Sequence, residues 1–289
     1  MSKVLVTGGS GKLGRAVLRD LVAHGYDVLN IDQQALPEPI CPSIRIDLTN
    51  FGEVAAAILG GVDERKGPFD AVVHLAAIPA PGLAANARTF ANNVPTTYNV
   101  FEASRLAGIK NIVFASSETV LGLPFETPPP YAPVDEEYYP RPESAYSLGK
   151  LLDETMAAQF CRWDPSLRIV GLRFSNVMNP EDYKAFPSFD ANPSTRKWNL
   201  WGYIDARDGA QAVRRSIQAD FTGFEAFIIA NADTVMSRSN MSLLAEVFPD
   251  VPTKGNLSTN GTLLSIEKAK RMLGYSPQYS WRNEVAAKS

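Results

Sequence analysis

The sequence is poor in the side chains that bind metals or form crosslinks. It contains two cysteines, Cys41 and Cys161, and two histidines, His24 and His74. Isolated thiols fit a reducing compartment better than a disulfide, and so few histidines argue against a histidine-rich metal centre. No metal is therefore expected. There is no basic excess either: 28 Lys and Arg are outnumbered by 31 Asp and Glu, giving a net charge of -3, which removes the electrostatic footprint of a nucleic-acid binder. No apolar run approaches the roughly 20 residues of a membrane-spanning helix, so no membrane partner is expected. A strand and a glycine-rich turn follow Met1-Ser2-Lys3 directly, so no signal peptide is expected and the expected location is the cytoplasm. Repeats and low-complexity tracts are absent as well. What is present is a 289-residue chain, 45% hydrophobic with scattered charge, the profile of an ordinary globular protein.

Short segments rich in Val, Ile, Leu or Phe alternate with helical patterns. Lys3–Thr7, Asp27–Asp32, Ser43–Ile46, Ala71–Leu75, Asn111–Ala115 and Arg168–Phe174 read as buried parallel strands. Lys12–His24, Phe51–Leu59, Asn92–Ala107 and Ala145–Cys161 read as the helices between them. This alternation predicts an α/β fold, a Rossmann-type doubly wound parallel sheet. After Phe174 the alternation loosens. Residues 1–177 are expected to form the nucleotide-binding core, and 178–289 a small C-terminal substrate lobe with elements returning to the core. Met178–Leu200 reads as loop, Arg207–Ala219 as a helix, Glu225–Ala230 as a strand, and Met241–Val247 and Ser265–Met272 as short helices. One long interruption, Leu123 to Pro142, carries seven prolines, which neither a helix nor a central strand accommodates. It leads into Tyr146 and is expected to wall an active site.

The first strand feeds Gly8-Gly9-Ser10-Gly11-Lys12-Leu13-Gly14. In such a turn the first glycine makes the bend, the second lets the backbone approach a pyrophosphate and the third permits close helix–sheet packing. The anion then rests on unpaired N–H groups at the helix N-terminus. Asp32 ends the second strand, where a carboxylate takes the ribose hydroxyls and repels a 2′-phosphate, favouring NAD over NADP. Asp47-Leu48, after the third strand, is a plausible adenine contact.

Tyr146 and Lys150 are spaced i, i+4 and share one helix face. A phenol is a poor base near neutral pH, and a neighbouring ammonium favours its ionised form. The pair can therefore remove a hydroxyl proton while hydride leaves for the cofactor. Ser117 follows the fifth strand, beyond the carboxyl ends of the strands where ligands of such folds bind, and can donate a hydrogen bond to the reacting oxygen.

These motifs, with His74-Leu75-Ala76-Ala77, Asn92-Asn93-Val94, Arg173-Phe174-Ser175-Asn176-Val177, Tyr203-Ile204-Asp205-Ala206-Arg207-Asp208 and Lys268-Ala269-Lys270-Arg271-Met272-Leu273-Gly274-Tyr275, resemble the extended short-chain dehydrogenase/reductase superfamily, in its NAD-dependent epimerase/dehydratase branch. The resemblance implies that Tyr146 is the acid/base, Lys150 its activator and Ser117 a substrate hydrogen-bond donor. It further implies cofactor contacts from the glycine loop, Asp32, Asp47, Leu48, Leu75, Ala76, Ala77, Asn93, Ala115 and Phe174. Substrate contacts are expected from Ser117, Glu118, Thr119, Asn176 and Arg207. A homodimer through a four-helix bundle of two helices per subunit is a further implication.

The same triad serves several reactions, so it names none by itself. Dehydratases of the branch place Asp-Glu after the Ser/Thr. Here Glu118-Thr119 lacks the second carboxylate, which disfavours dehydration. The expectation is hydride transfer at a hydroxyl carbon of a sugar or nucleotide-sugar, as in a 4-epimerase. The alternative is a dehydrogenase or reductase of a smaller sugar, sugar acid or ketone. Trp198, Trp201, Tyr203 and Phe186 could stack on a sugar face. A non-catalytic dinucleotide sensor is a third class, which retention of both Tyr146 and Lys150 argues against.

Overall fold

The computed structural model describes residues 2–60 and 68–286. Seven strands form one parallel sheet: β1 (Lys3–Thr7), β2 (Asp27–Asp32), β3 (Ser43–Arg45), β4 (Ala71–His74), β5 (Asn111–Ser117), β6 (Arg168–Phe174) and β9 (Gly223–Ile229). Their order across the sheet is β3-β2-β1-β4-β5-β6-β9. The chain reverses direction of growth between β1 and β4, and a crevice opens at the strand ends there. The strands β1, β2, β4, β5 and β6 are mostly apolar and buried because both faces are covered. Alternate side chains serve different layers: Val4 and Val6 of β1 join one core, and Leu5 between them joins the other.

Helix α1 (Lys12–Ala23) packs with α5 (Ala206–Ile217) on the first face. Its Val17, Leu18 and Leu21 are fully buried. The second face carries α2 (Phe51–Ile58), α3 (Asn86–Leu106) and α4 (Ala145–Trp163). Phe101 of α3, Phe114 of β5 and Phe160 of α4 interlock there, with ring centres 5.4 and 5.7 Å from Phe101. Residues after 178 thus supply one edge strand of the sheet and one of its flanking helices.

Several elements differ from the sequence reading. Helix α3 begins at Asn86, six residues before the expected start, because its first turn is exposed apart from Thr89 and shows no apolar period. Strand β5 runs on to Ser117, pairing that residue with Phe174. The expected loop Met178–Leu200 contains two 3-10 stretches, Pro180–Ala191 and Pro193–Asn199. Tyr183, Phe186 and Phe189 recur every third residue, which aligns them on one side of a helix with three residues per turn. A small parallel pair, β7 (Val177–Met178) with β8 (Ile204–Asp205), lies beyond the main sheet. The C-terminal part adds α6 (Asn240–Val247), α7 (Glu267–Leu273) and α8 (Trp281–Ala286).

The proline-rich segment is pinned rather than free. Ala132 bridges to Thr253 and Val134 to Leu264, and the Lys254 ammonium reaches Asp135 and Glu137 at 2.5 and 3.0 Å. Among the described residues no helix is long and apolar enough to cross a membrane.

Candidate active site

The turn after β1 is held by its own backbone and by the side chains of Asn30, Asp32 and Arg15. Gly8 adopts φ 76°, in the region that favours glycine. A Cβ there would lie 2.5 Å from the Ala76 amide nitrogen, and one on Gly14 would lie 2.1 Å from the Gly8 carbonyl oxygen. Gly9 donates its N–H to the Asn30 side chain at 2.9 Å, and Asn30 is tied in turn to Ser43 at 2.8 Å. Asn30 was absent from the expected site. Its only signal is an amide in the apolar run Val28-Leu29-Asn30-Ile31, where a buried polar group must have a partner. Helix α1 starts after Gly11 with no side-chain cap and no acid in its first turn, so its leading N–H groups face the crevice available to an anion.

A cleft of about 1030 Å³ follows the strand ends. Gly8, Ser10, Gly11, Lys12, Leu13, Gly14, Asp32, Leu48, Leu75, Ala76, Ala77, Ala115 and Phe174 line it. The Asp32 carboxylate is oriented by the Ser10 and Gln34 amides, each at 3.0 Å. Gly9 faces Asn30 instead of the cleft wall. Asp47 and Asn93, expected against the cofactor, are not on that wall. Asp47 accepts from the Thr49 backbone and hydroxyl and from Gln33, bonds that hold its carboxyl below the usual range, those from Thr49 foremost. Asn93 clasps the Ile78 amide and carbonyl at 2.9 and 3.0 Å, fixing the segment after β4, while Asn92 and Thr96 reach the cleft.

Ser117, Tyr146 and Lys150 all line the cleft. Ser117 Oγ accepts from the Thr119 amide at 3.2 Å and the Thr119 hydroxyl at 3.0 Å, which leaves its own proton free to donate. Tyr146 stands in the first turn of α4, whose start is set by a reciprocal capping box: Ser144 Oγ accepts from the Ser147 amide, and Ser147 Oγ from the Ser144 amide. One turn on, Lys150 Nζ lies 6.0 Å from the centre of the Tyr146 ring. It donates to the Ala115 carbonyl at 2.7 Å and sits 3.4 Å from Asp153 Oδ2. Burial raises the Asp153 carboxyl to about 6 against the pull of Lys150. Beneath them, His74 bridges Thr7 at 2.7 Å and Thr97 at 3.3 Å. Burial, aided by the Lys150 charge, lowers His74 to about 3, so it is neutral. A second buried pair anchors the helix: Arg173 of β6 grips Glu154 with bonds of 2.9 and 2.8 Å, and Ser116 donates to the same carboxylate at 2.6 Å.

At the far end the walls are Glu118, Thr119, Leu123, Pro124, Ser175, Asn176 and Trp198. Burial pushes the Glu118 carboxyl up to about 7, opposed by Ser175, Asn199 and Arg196. Two expectations need correction. Arg207 is outside the cleft wall: it is held bidentately by Asp205 at 2.9 and 2.8 Å, by Glu284 at 3.0 Å, and lies over the Tyr279 ring. Its carboxylate partners, not a substrate, satisfy its charge. Of the four aromatics expected to stack on a sugar, only Trp198 lines the cleft. Trp201, Tyr203 and Phe186 are fully buried core residues. Among the described residues, no cluster of three or more His, Cys, Asp or Glu is placed to hold a metal.

The sequence profile of the NAD dependent epimerase/dehydratase family matches residues 4–230. A bifunctional UDP-glucose and UDP-xylose 4-epimerase of Pisum sativum is 30% identical over 192 residues, 62% of this chain and 53% of that protein. The match thus spans about half the length of the pea protein. An L-arabinose 1-dehydrogenase (NAD(P)+) of Haloferax volcanii is 25% identical over 288 residues, 96% of this chain and 97% of its own. A crystal structure of the UDP-glucose 4-epimerase of Bifidobacterium longum, with NAD+ and UDP, has the same fold. Its TM-score is 0.71 at 20% identity, over 99% of this chain and 96% of that one.

Proposed function

Because the chain belongs to the NAD dependent epimerase/dehydratase family and is an NAD-dependent enzyme, we propose that it oxidises a hydroxyl carbon of a compact sugar that carries no nucleotide. The observation that carries this reading is the fate of three arginines of the lobe, Arg196, Arg207 and Arg238. A sugar diphosphate calls for bidentate arginine. Arg196 donates to the Gly202 carbonyl, Arg207 is committed to Asp205 and Glu284, and Arg238 to Ser242 and Glu246. None of the three lines the cleft.

The glycine turn fits a dinucleotide pyrophosphate, since a Cβ at Gly8 or Gly14 would fill the cradle. Asp32, its oxygens aimed by two amides, is suited to a ribose diol and favours NAD over NADP. Bound NAD supplies the hydride acceptor. The chain's own residues handle the proton and the geometry. Tyr146 takes the substrate hydroxyl proton at its phenolic oxygen as hydride departs, and returns it in the reverse direction. Lys150, fixed by the Ala115 carbonyl, keeps a positive charge 6.0 Å from the centre of the Tyr146 ring. Ser117 donates its free proton to the reacting oxygen and orients it.

A second reading, 4-epimerisation of a nucleotide-sugar, is favoured by the 30% identical pea relative and by Arg88, an exposed cation on the cleft wall. A homodimer is also proposed: α3 and α4 pack side by side and expose Phe90 (36%), Tyr98 (46%) and Leu148 (42%), apolar area suited to a bundle. Steady-state NAD reduction with aldoses, alditols and UDP-glucose separates the two reactions. Compact sugars are expected to be oxidised, with kcat falling about 10²–10⁴-fold in Tyr146→Phe. Preference for UDP-glucose without net NAD reduction overturns the dehydrogenase reading, and an unaltered Tyr146→Phe enzyme overturns the site.

A further inference from the structure

Behind the substrate end of the cleft, four buried polar atoms have no partner: Glu118 Oε2, Ser175 Oγ, Arg196 Nε and Asn199 Oδ1. Their side chains form one group. Asn199 donates to Glu118 Oε1 at 3.1 Å and to the Gly202 carbonyl at 2.9 Å. Arg196 Nη2 donates to that same carbonyl at 2.9 Å. Ser175 lies against the same turn, since a Cβ on Gly202 would fall 3.0 Å from its hydroxyl.

The members are layered with respect to the cleft. Glu118, Ser175 and Trp198 line it. Arg196 stands behind them, only 6% exposed, with its guanidinium 4.9 Å from the centre of the Trp198 ring. A buried guanidinium needs compensating charge. No carboxylate among the described residues pairs with Arg196 at ion-pair distance, and the acid that acts on it electrostatically is Glu118. Glu118 thus stands on the cleft wall with Arg196 behind it, and when ionised it supplies the compensating negative charge.

We propose that Glu118 is a resident carboxylate that neutralises Arg196 from the cleft side, and so sets the preference of this enzyme for neutral sugars over the corresponding sugar acids. The inference rests on the reading of the cleft as a sugar-oxidation site. When ionised, Glu118 repels an incoming carboxylate and cancels the attraction of the arginine. Glu118→Gln keeps the volume and an acceptor for Asn199 but leaves Arg196 uncompensated behind the cleft wall. Glu118→Ala also opens the space in front of it.

The test uses two readouts on wild type, Glu118→Gln, Glu118→Ala and the double variant Glu118→Gln/Arg196→Gln. The first is kcat/KM for NAD reduction with D-glucose and D-glucuronate. The second is calorimetric binding of the same two sugars to the NADH complex, which needs no turnover. Wild type is expected to favour glucose. Both single variants should shift the glucuronate-to-glucose ratio upward by about tenfold or more, the scale of one partly screened charge. The double variant should lose most of that gain. A ratio within about twofold of wild type in both single variants, wild-type preference for glucuronate, or absence of glucuronate binding in every variant overturns the proposal. If neither sugar is oxidised, the sugar-oxidation reading fails, while the binding ratio still decides the role of Glu118.

Discussion

The Glu154–Arg173 pair fastens the helix that carries Tyr146 and Lys150 to the central sheet, and its worth can be measured. Both side chains are 5% exposed. Replacing Glu154 by Leu strands a buried guanidinium, at a cost of about 3–5 kcal/mol, and removes the acceptor of Ser116, worth about 1 kcal/mol more. At about 2–4 °C per kcal/mol for a chain of this size, the melting temperature should fall by roughly 10–20 °C. Arg173→Leu strands the carboxylate and should cost a similar amount. The double variant Glu154→Leu/Arg173→Leu removes both charges together and should recover most of the loss, because an apolar pair of similar volume often replaces a buried ion pair at little cost. Urea unfolding of all four proteins at pH 7, without nucleotide, yields the coupling energy directly. Single variants costing under about 1 kcal/mol, or a double variant as unstable as the two losses added, would refute the view of this pair as a desolvated anchor.

Two further outcomes are expected. Gly14→Ala places a Cβ 2.1 Å from the Gly8 carbonyl; backbone cannot yield there, and NAD affinity by calorimetry should drop roughly 10–100-fold, a cost of about 1–3 kcal/mol, whereas wild-type binding contradicts the proposed close packing of the turn. His74 stays neutral in the fold down to about 3 but takes a proton near 6.5 when unfolded. Its folded value is depressed, so its contribution is complete above 6.5 and is lost as pH falls toward 3, by up to about 5 kcal/mol. Urea midpoints between pH 8 and 4 should fall less steeply for His74→Gln than for wild type, and parallel curves would remove His74 from the acid limb.

The sheet was legible because its strands are short and apolar on both faces, and a sequence states that pattern residue by residue. The glycine turn, Asp32 and the Tyr146/Lys150 spacing were legible for a similar reason, each being a local geometry. Contacts made across the fold were not. Arg207 reads as a free cation in one dimension, although Asp205, two residues earlier, was the available clue to its partner. Asp47 and Asn93 occupy the expected neighbourhood but serve the backbone beside the cleft. The group of Glu118, Ser175, Arg196 and Asn199 joins three stretches separated by up to eighty-one positions, and no spacing rule links them. Tyr183, Phe186 and Phe189 did announce a three-residue period, but the prolines around them favoured a loop reading.

The bridges from Ala132 and Val134 to Thr253 and Leu264 have a consequence for how such a protein can diversify. The segment running from Leu123 and Pro124 on the cleft wall to Tyr146 is braced by residues 253 and 264 near the C-terminus, not by the glycine turn. Changes in length or composition near residues 250–265 would therefore travel along this strap to the substrate end. The glycine turn, on the far side of the cleft, would be spared. The fold separates the part that is costly to alter from the part that can be tuned, and new substrate preferences can arise from its C-terminal region while the redox chemistry is inherited intact.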